Sequence, residues 1–254
     1  MFVDMLGFAD MTEAHDFDSD HDDTLSTGVF FASALTRQFG RFHECLNQSD
    51  WQSRVTTGIT FSDSGFFVFE SPYDALHASS QLMRSLVLAG VACRMGLGSG
   101  SFRAISFGTT TALRTSRVRH SSQFLGTGVV RVFKAESSGL AGMRIRIHDS
   151  AAEILAKRFS DMVVPVQETL PTSSKVRWEG NYLFDKIQMR QKFSVLGRTL
   201  LAGFPLENKN DLLVMAVAAM MTEAPPKAAH HYQATLQSLE VMKLTLTTTH
   251  WRPT

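Results

Sequence analysis

At 254 residues, with 44% hydrophobic and 19% charged positions, the chain is long enough for one large α/β domain or a domain with an appendage, and too apolar for disorder. A formal net charge of +1 argues against a basic footprint for duplex DNA or an anionic membrane. The two cysteines, Cys45 and Cys93, cannot build a disulfide framework and lack CxxC spacing, which reads as a reducing compartment.

Residues 1–5 read as the end of a strand, followed by a turn at Gly7. A strand averages about five or six residues, so one beginning at Met1 implies a start further upstream or an unusually short strand. The opening MFVDMLGFAD has no basic stretch and no long apolar core, so it does not read as a secretory signal. Residues 13–23, EAHDFDSDHDD, carry no Lys or Arg. Asp16, Asp18 and Asp20 have calcium-loop spacing, but His21 replaces the required Gly and Thr27 the closing Glu, so a solvated loop is the better reading.

Apolar Val29, Phe30, Ala34, Leu35, Phe39, Phe42 and Leu46 predict a helix within 25–47. Residues 55–69 read as two strands joined at Ser62-Asp63-Ser64-Gly65. Pro72 and Asp74 open a second helix that ends before Gly90. A glycine-rich strand is expected over 91–102, a basic arm or loop over 109–120, a helix over 126–138 and a strand over 143–147. Beyond Pro171 one more strand is expected over 175–184, then helices near 191–202, 211–222 and 227–246, the last two separated by Pro225 and Pro226. The longest apolar run, 212–221, falls short of the roughly 20 residues a bilayer span needs, and the chain reads as soluble and cytoplasmic.

Two aspartates sit where strands turn. Asp4 ends the first strand, before Met-Leu-Gly-Phe. Asp63 lies in the bend of a hairpin whose strands carry Ile59, Phe61, Phe66, Phe67, Val68 and Phe69. A carboxylate in so apolar a setting calls for a partner or a cation, although Ser-Asp-Ser-Gly also suits a turn with no further role. Glycine-bearing loops beside both would let backbone amides approach a phosphate.

FVDMLGF resembles the first strand and phosphate loop of class III adenylyl and guanylyl cyclases, and TFSDSGFFVF their second metal-bearing hairpin. CRMGLGSGSF is similar to the strand after their second helix, and QFLGTGVVRVFKAESSG to the strand end and helix that complete the site from a partner subunit. The four blocks stand in family order across residues 1–150, and the FVD-LGF and FSDS variants most resemble the bacterial pyrimidine cyclases of Pycsar antiphage defence. The resemblance implies an α/β (α+β) fold: a ferredoxin-like domain over 1–184, with helices on one face of a mainly antiparallel sheet, and a helical extension over 185–254. It implies two Mg²⁺ or Mn²⁺ ions on Asp4, Asp63 and the Met5 carbonyl, and triphosphate binding by amides of Leu6, Gly7 and Phe8 together with Arg94. Hard oxygen ligands suit those metals rather than zinc.

The departures bear on the substrate. By alignment, the base-reading positions hold Ile59 and Gln123 in place of the purine cyclases' polar pairs. Ile59 has no hydrogen-bonding edge, while the Gln123 amide donates and accepts, which agrees with a smaller base, uracil or cytosine. The family's Asn and Arg, four apart on the last helix, are replaced by Val130 and Lys134. Lys134 supplies a point charge rather than a planar fork. Arg131, one residue from the missing Asn, points about 100° away on a regular helix.

The expected reaction is conversion of UTP or CTP to a cyclic monophosphate and pyrophosphate in a head-to-tail homodimer, the product being read by a separate effector. An adenylate or guanylate cyclase is the alternative; so are an inactive cyclase-fold nucleotide-binding or dimerisation module and a metal-dependent phosphodiesterase or polymerase-like enzyme. Gly96-Leu-Gly-Ser-Gly100 lacks a following helix and reads as close strand packing rather than a dinucleotide loop. His230-His231 reads as an exposed helical pair.

Overall fold

The computed structural model describes residues 1–14, 34–105, 123–169, 174–183 and 209–249. The readings made for 15–33, the arm at 109–120 and the helix near 191–202 lie outside the described residues. The chain opens with β1 (Phe2–Met5), α1 (Phe8–Ala14), α2 (Ala34–Leu46) and the one-turn α3 (Ser49–Gln52). The hairpin β2 (Thr57–Thr60) and β3 (Ser64–Val68) follows, then α4 (Pro72–Leu88) and β4 (Cys93–Leu97). A small ribbon, β5 (Arg103–Ile105) with β6 (Gln123–Leu125), precedes α5 (Thr127–Glu136). The remainder is β7 (Ile145–Ile147), α6 (Asp149–Arg158), β8 (Val163–Thr169), β9 (Ser174–Gly180), α7 (Lys209–Glu223) and α8 (Ala229–Thr249).

The sheet has seven strands in the order β2-β3-β1-β4-β7-β9-β8, antiparallel throughout except for β4 with β7. Its first four strands have β-α-β-β-α-β connectivity. Alternation decides what each face carries. Val3, Met5, Phe67, Cys93, Met95, Leu97 and Ile145 enter the main core with Phe42 and Leu46 of α2 and Leu76, Leu82 and Leu86 of α4. The opposite face carries Phe2 and Phe66, which form a second cluster with Val132 of α5.

Helices therefore lie on both faces, which corrects the one-face expectation. The reason is at Gly96. A Cβ there would stand 1.9 Å from the Val132 carbonyl oxygen, so only a bare Cα lets α5 settle on β4. The glycines of 96–100 thus serve close packing, of a helix rather than a strand.

Local chemistry explains the boundaries. Ser71 caps α4 by accepting from the Asp74 amide at 3.0 Å, with Pro72 at the first helical position. The long strand expected over 91–102 is shorter: only β4 lies within it, and β5 begins beyond it at Arg103. Five elements had no counterpart in the sequence reading: α1, α3, β5, α6 and β8. The His148 ring nitrogen caps α6 by accepting from Ser150 N, and Ala151, Ala152 and Leu155 bury its inner side. Pro165 fits β8 because β8 is an edge strand, where a missing donor can face outward.

The carboxy-terminal helices share the main core. Leu213 and Val217 of α7 and Leu239 and Met242 of α8 belong to the same buried cluster as the sheet. Polar bonds fix α8: Thr235 Oγ1 accepts from Met143 N at 2.8 Å, and Arg144 donates to the Ala234 carbonyl at 3.2 Å. Glu179 on β9, 1% exposed, pairs with Arg144 at 2.8 Å and Arg146 at 3.1 Å and accepts from Ser238 Oγ at 3.2 Å. Glu179→Gln keeps the shape but removes the charge both arginines face, so chemical denaturation should register a loss of about 2 kcal/mol.

Candidate functional site

Three strands gather the acidic residues. On β1, Asp4 and Phe2 share a face while Val3 and Met5 turn to the core. Asp4 stands opposite Arg94 on β4 and Ser64 on β3. The Met5 amide donates to the Asp63 carbonyl at 2.9 Å, which ties the turn carrying Asp63 to the end of β1. His43 of α2 steadies the same turn by donating from Nε2 to the Ser62 carbonyl at 2.8 Å.

The electrostatics of this patch are unbalanced. The Asp4 carboxyl is pushed up to about 6, first by burial, then by the nearby carboxylates Glu136 and Asp63, with Arg94 opposing. Arg94 Nη2 lies 3.6 Å from Asp4 Oδ2 and 2.8 Å from Glu136 Oε1. The closer contact is an ion pair without hydrogen-bond geometry. Glu136 comes from the last turn of α5 and is 4% exposed. Burial pushes its carboxyl upward too, against the pull of Arg94.

Glu136 and His43 were missed by the sequence reading. Glu136 continues the inward line of Val129, Val132 and Ala135, and a carboxylate on that apolar side of a helix was the available signal. For His43 the sequence offers none.

The remaining expected residues divide. Ile59, half-buried on β2, stands opposite Phe66 on the Asp4 face. Gln123 heads β6, whose Phe124 ring lies 4.8 Å from that of Phe66. Both expected base-reading positions therefore sit on elements that meet at Phe66. Gly7, with φ of +74°, turns the chain from β1 into α1, where Phe8 begins. The Leu6 amide is committed to the Ala92 carbonyl at 2.9 Å, which leaves the Gly7 and Phe8 amides as the ones to consider for phosphate.

On the outer side of α5, Val130 (54% exposed) and Lys134 are exposed, while the Phe133 ring (52% exposed) lies 5.8 Å from that of Phe2. Arg131 donates to the Ser99 carbonyl at 2.7 Å and does not take the place of the missing Asn on that outer side. His231 departs from the exposed reading: it is half-buried and accepts from Gly142 N at 3.2 Å.

Asp4 and Asp63 fit a hard divalent cation. Crowded carboxylates hold the Asp4 proton more tightly than an isolated one would, and a cation relieves the same excess of negative charge. Among the described residues no group of three or more His, Cys, Asp or Glu is arranged to hold a metal. A cation on these two side chains would complete its shell with carbonyl, water or phosphate oxygens. A cavity of about 250 Å³ lined by Phe66, Leu97, Gly100 and Val129 lies towards the other end of β4 and includes none of Asp4, Asp63 or Arg94.

Among the described residues no helix is long and apolar enough to cross a membrane. No protein-family model matches the chain, and no curated protein matches it.

Proposed function

We propose that this chain is a class III nucleotide cyclase that converts UTP or CTP to its 3′,5′-cyclic monophosphate and pyrophosphate. One observation carries the reading: Asp4 stands beside Arg94 and the Asp63 turn, on one face of a β-α-β-β-α-β sheet. That is the placement a ferredoxin-like cyclase domain needs for its acidic pair and its phosphate-binding arginine.

Asp4 and Asp63, with the Met5 carbonyl, would hold Mg²⁺ or Mn²⁺. Bound there, the ions supply acidification of the ribose 3′-hydroxyl and neutralisation of the triphosphate. Arg94 faces the phosphates with N–H groups not engaged by Glu136. Gly7 and Phe8 offer backbone amides beside them. Ile59 gives the base an apolar wall, and Gln123 gives it a donor and an acceptor. The 3′-oxygen attacks the α-phosphorus in line, the bond to the β-phosphate oxygen breaks, pyrophosphate leaves and the hydroxyl proton passes to solvent.

The working form is a head-to-tail homodimer in which Lys134 and Gln123 of one copy meet Asp4 and Asp63 of the other. Exposed Phe61 and Phe133 support a covering copy, since their rings lie near those of Phe66 and Phe2 on the face that carries Asp4. The product would act in the cytoplasm as a messenger of antiphage defence, read by a separate effector. Val130 favours the second reading, an inactive nucleotide-binding or dimerisation module: an exposed valine cannot steady a ribose as Asn does.

The test is incubation of the purified protein with each of four labelled nucleoside triphosphates and Mn²⁺. Cyclic UMP, with cyclic CMP next, is the expected product. Exclusive cyclic AMP or GMP would overturn the pyrimidine assignment, and binding without any pyrophosphate release would favour the inactive module.

A further inference from the structure

We infer that Glu136 is a positioning residue that acts through Arg94, holding the guanidinium off Asp4 so that a divalent cation can take that carboxylate. The inference rests on the cyclase reading for its purpose, and on the Arg94 geometry for its substance. Arg94 stands between two carboxylates, and Glu136 is the nearer, at 2.8 Å against 3.6 Å for Asp4. The two acids differ in what they can do without it. Glu136 is 4% exposed, so a charge there has little water to turn to if Arg94 leaves. The Asp4 side chain is a quarter exposed and can exchange one partner for another.

The pair therefore resolves in one direction when a cation arrives. Asp4 passes to the metal, Arg94 stays with Glu136, and the planar guanidinium, with five N–H donors, keeps donors to spare for phosphate oxygens. Without Glu136, the carboxylate already within 3.6 Å of Arg94 is Asp4, and the guanidinium competes with the metal for it.

The experiment measures Mn²⁺ binding by electron paramagnetic resonance in wild type, Glu136→Gln, Arg94→Gln and the double variant, with folding checked by circular dichroism. Glu136→Gln should weaken Mn²⁺ binding by about tenfold, the lower end for loss of a supporting residue at a metal site. Adding Arg94→Gln should bring Mn²⁺ binding back to within roughly threefold of wild type, because the competitor is gone. Unchanged binding in Glu136→Gln, or a double variant as weak as that single one, overturns the inference. Should Glu136→Gln not fold, Glu136→Asp carries the same test with a smaller expected loss, since it keeps the charge but draws it back by one methylene. Cyclisation is assayed in parallel. The expected binding pattern with no cyclic product would overturn the cyclase reading and leave the Glu136–Arg94 coupling standing, whereas cyclic product with unchanged Mn²⁺ binding in Glu136→Gln would do the reverse.

Discussion

If the proposed cyclase reading holds, Asp4→Asn should lower cyclisation by at least about a thousandfold, roughly 4 kcal/mol of transition-state stabilisation, through loss of the proposed cation ligand. The same change should make the metal-free protein more stable at pH 7, by on the order of 1–2 kcal/mol once solvent screening of a part-exposed group is allowed for. The second effect follows from the charges around Asp4. Its carboxyl is raised from 3.8 to about 6 by burial and by Glu136 and Asp63, so ionising it works against the fold. A raised carboxyl contributes stability that is present below about pH 4 and is lost as pH rises through about 6. The neutral amide removes that loss. Melting curves should therefore show the gap between variant and wild type widest at pH 7 and narrowing as pH falls through 6 towards 4. Arg94 retains Glu136 in the variant, so the gain is not cancelled by an unpaired cation. A variant that cyclises at the wild-type rate would remove Asp4 from the metal site. One that melts lower at every pH would instead refute the charge account.

On the proposed reading, Mn²⁺ would compete with the same proton. Below about pH 6 the apparent affinity for the metal should fall, by about tenfold per unit at most if Asp4 alone must lose its proton.

How far the sequence carried depended on whether a feature was local. The hairpin at Asp63, the capped start at Pro72 and the helix after Gly126 each follow from residues within a few positions of one another, and all three stand. Pairing is another matter. That β4 runs beside β1, so that Arg94 comes level with Asp4, is a contact between residues ninety apart in sequence, and alternation within each strand does not specify it. The four blocks in family order suggested it only through the resemblance. The carboxy-terminal helices were legible as helices, but not the surfaces they cover. Thr235 bonds to Met143, Ser238 to Glu179 and Lys227 to Asp10, none of which has a sequence signature.

Glycine was the most misleading residue type. Gly96, Gly98 and Gly100 look alike in the sequence, and the sequence shows no reason why a helix should lie against them. In the fold each meets α5 differently. Gly96 lies under the Val132 carbonyl, Gly98 meets the Arg131 and Val132 side chains, and Gly100 meets Gly128. The three glycines give α5 a track on the sheet, and Glu136 at its end is the side chain which that track delivers to Arg94.

Gly96→Val is therefore expected to damage both stability and chemistry. A Cβ at this position would meet the Val132 carbonyl oxygen at 1.9 Å and the Glu136 amide nitrogen at 3.0 Å. Both obstacles are backbone, so no rotamer change relieves them, and α5 must lift from β4 as a unit. Lifting it opens the Phe2–Phe66–Val132 cluster and lengthens the 2.8 Å contact between Glu136 and Arg94. Overpacking usually costs about 1–3 kcal/mol; with a main-chain obstacle and a lost apolar cluster, roughly 4 kcal/mol is expected. For a chain of this size that is a fall in melting temperature of roughly 10 °C. Gly7 offers the contrast. Nothing lies within 4 Å of a Cβ built there, so Gly7→Ala meets only the backbone strain of its positive φ and should cost about 1 kcal/mol. If Gly96→Val melts no lower than Gly7→Ala, α5 does not rest on β4 as described, and the delivery of Glu136 to Arg94 falls with it.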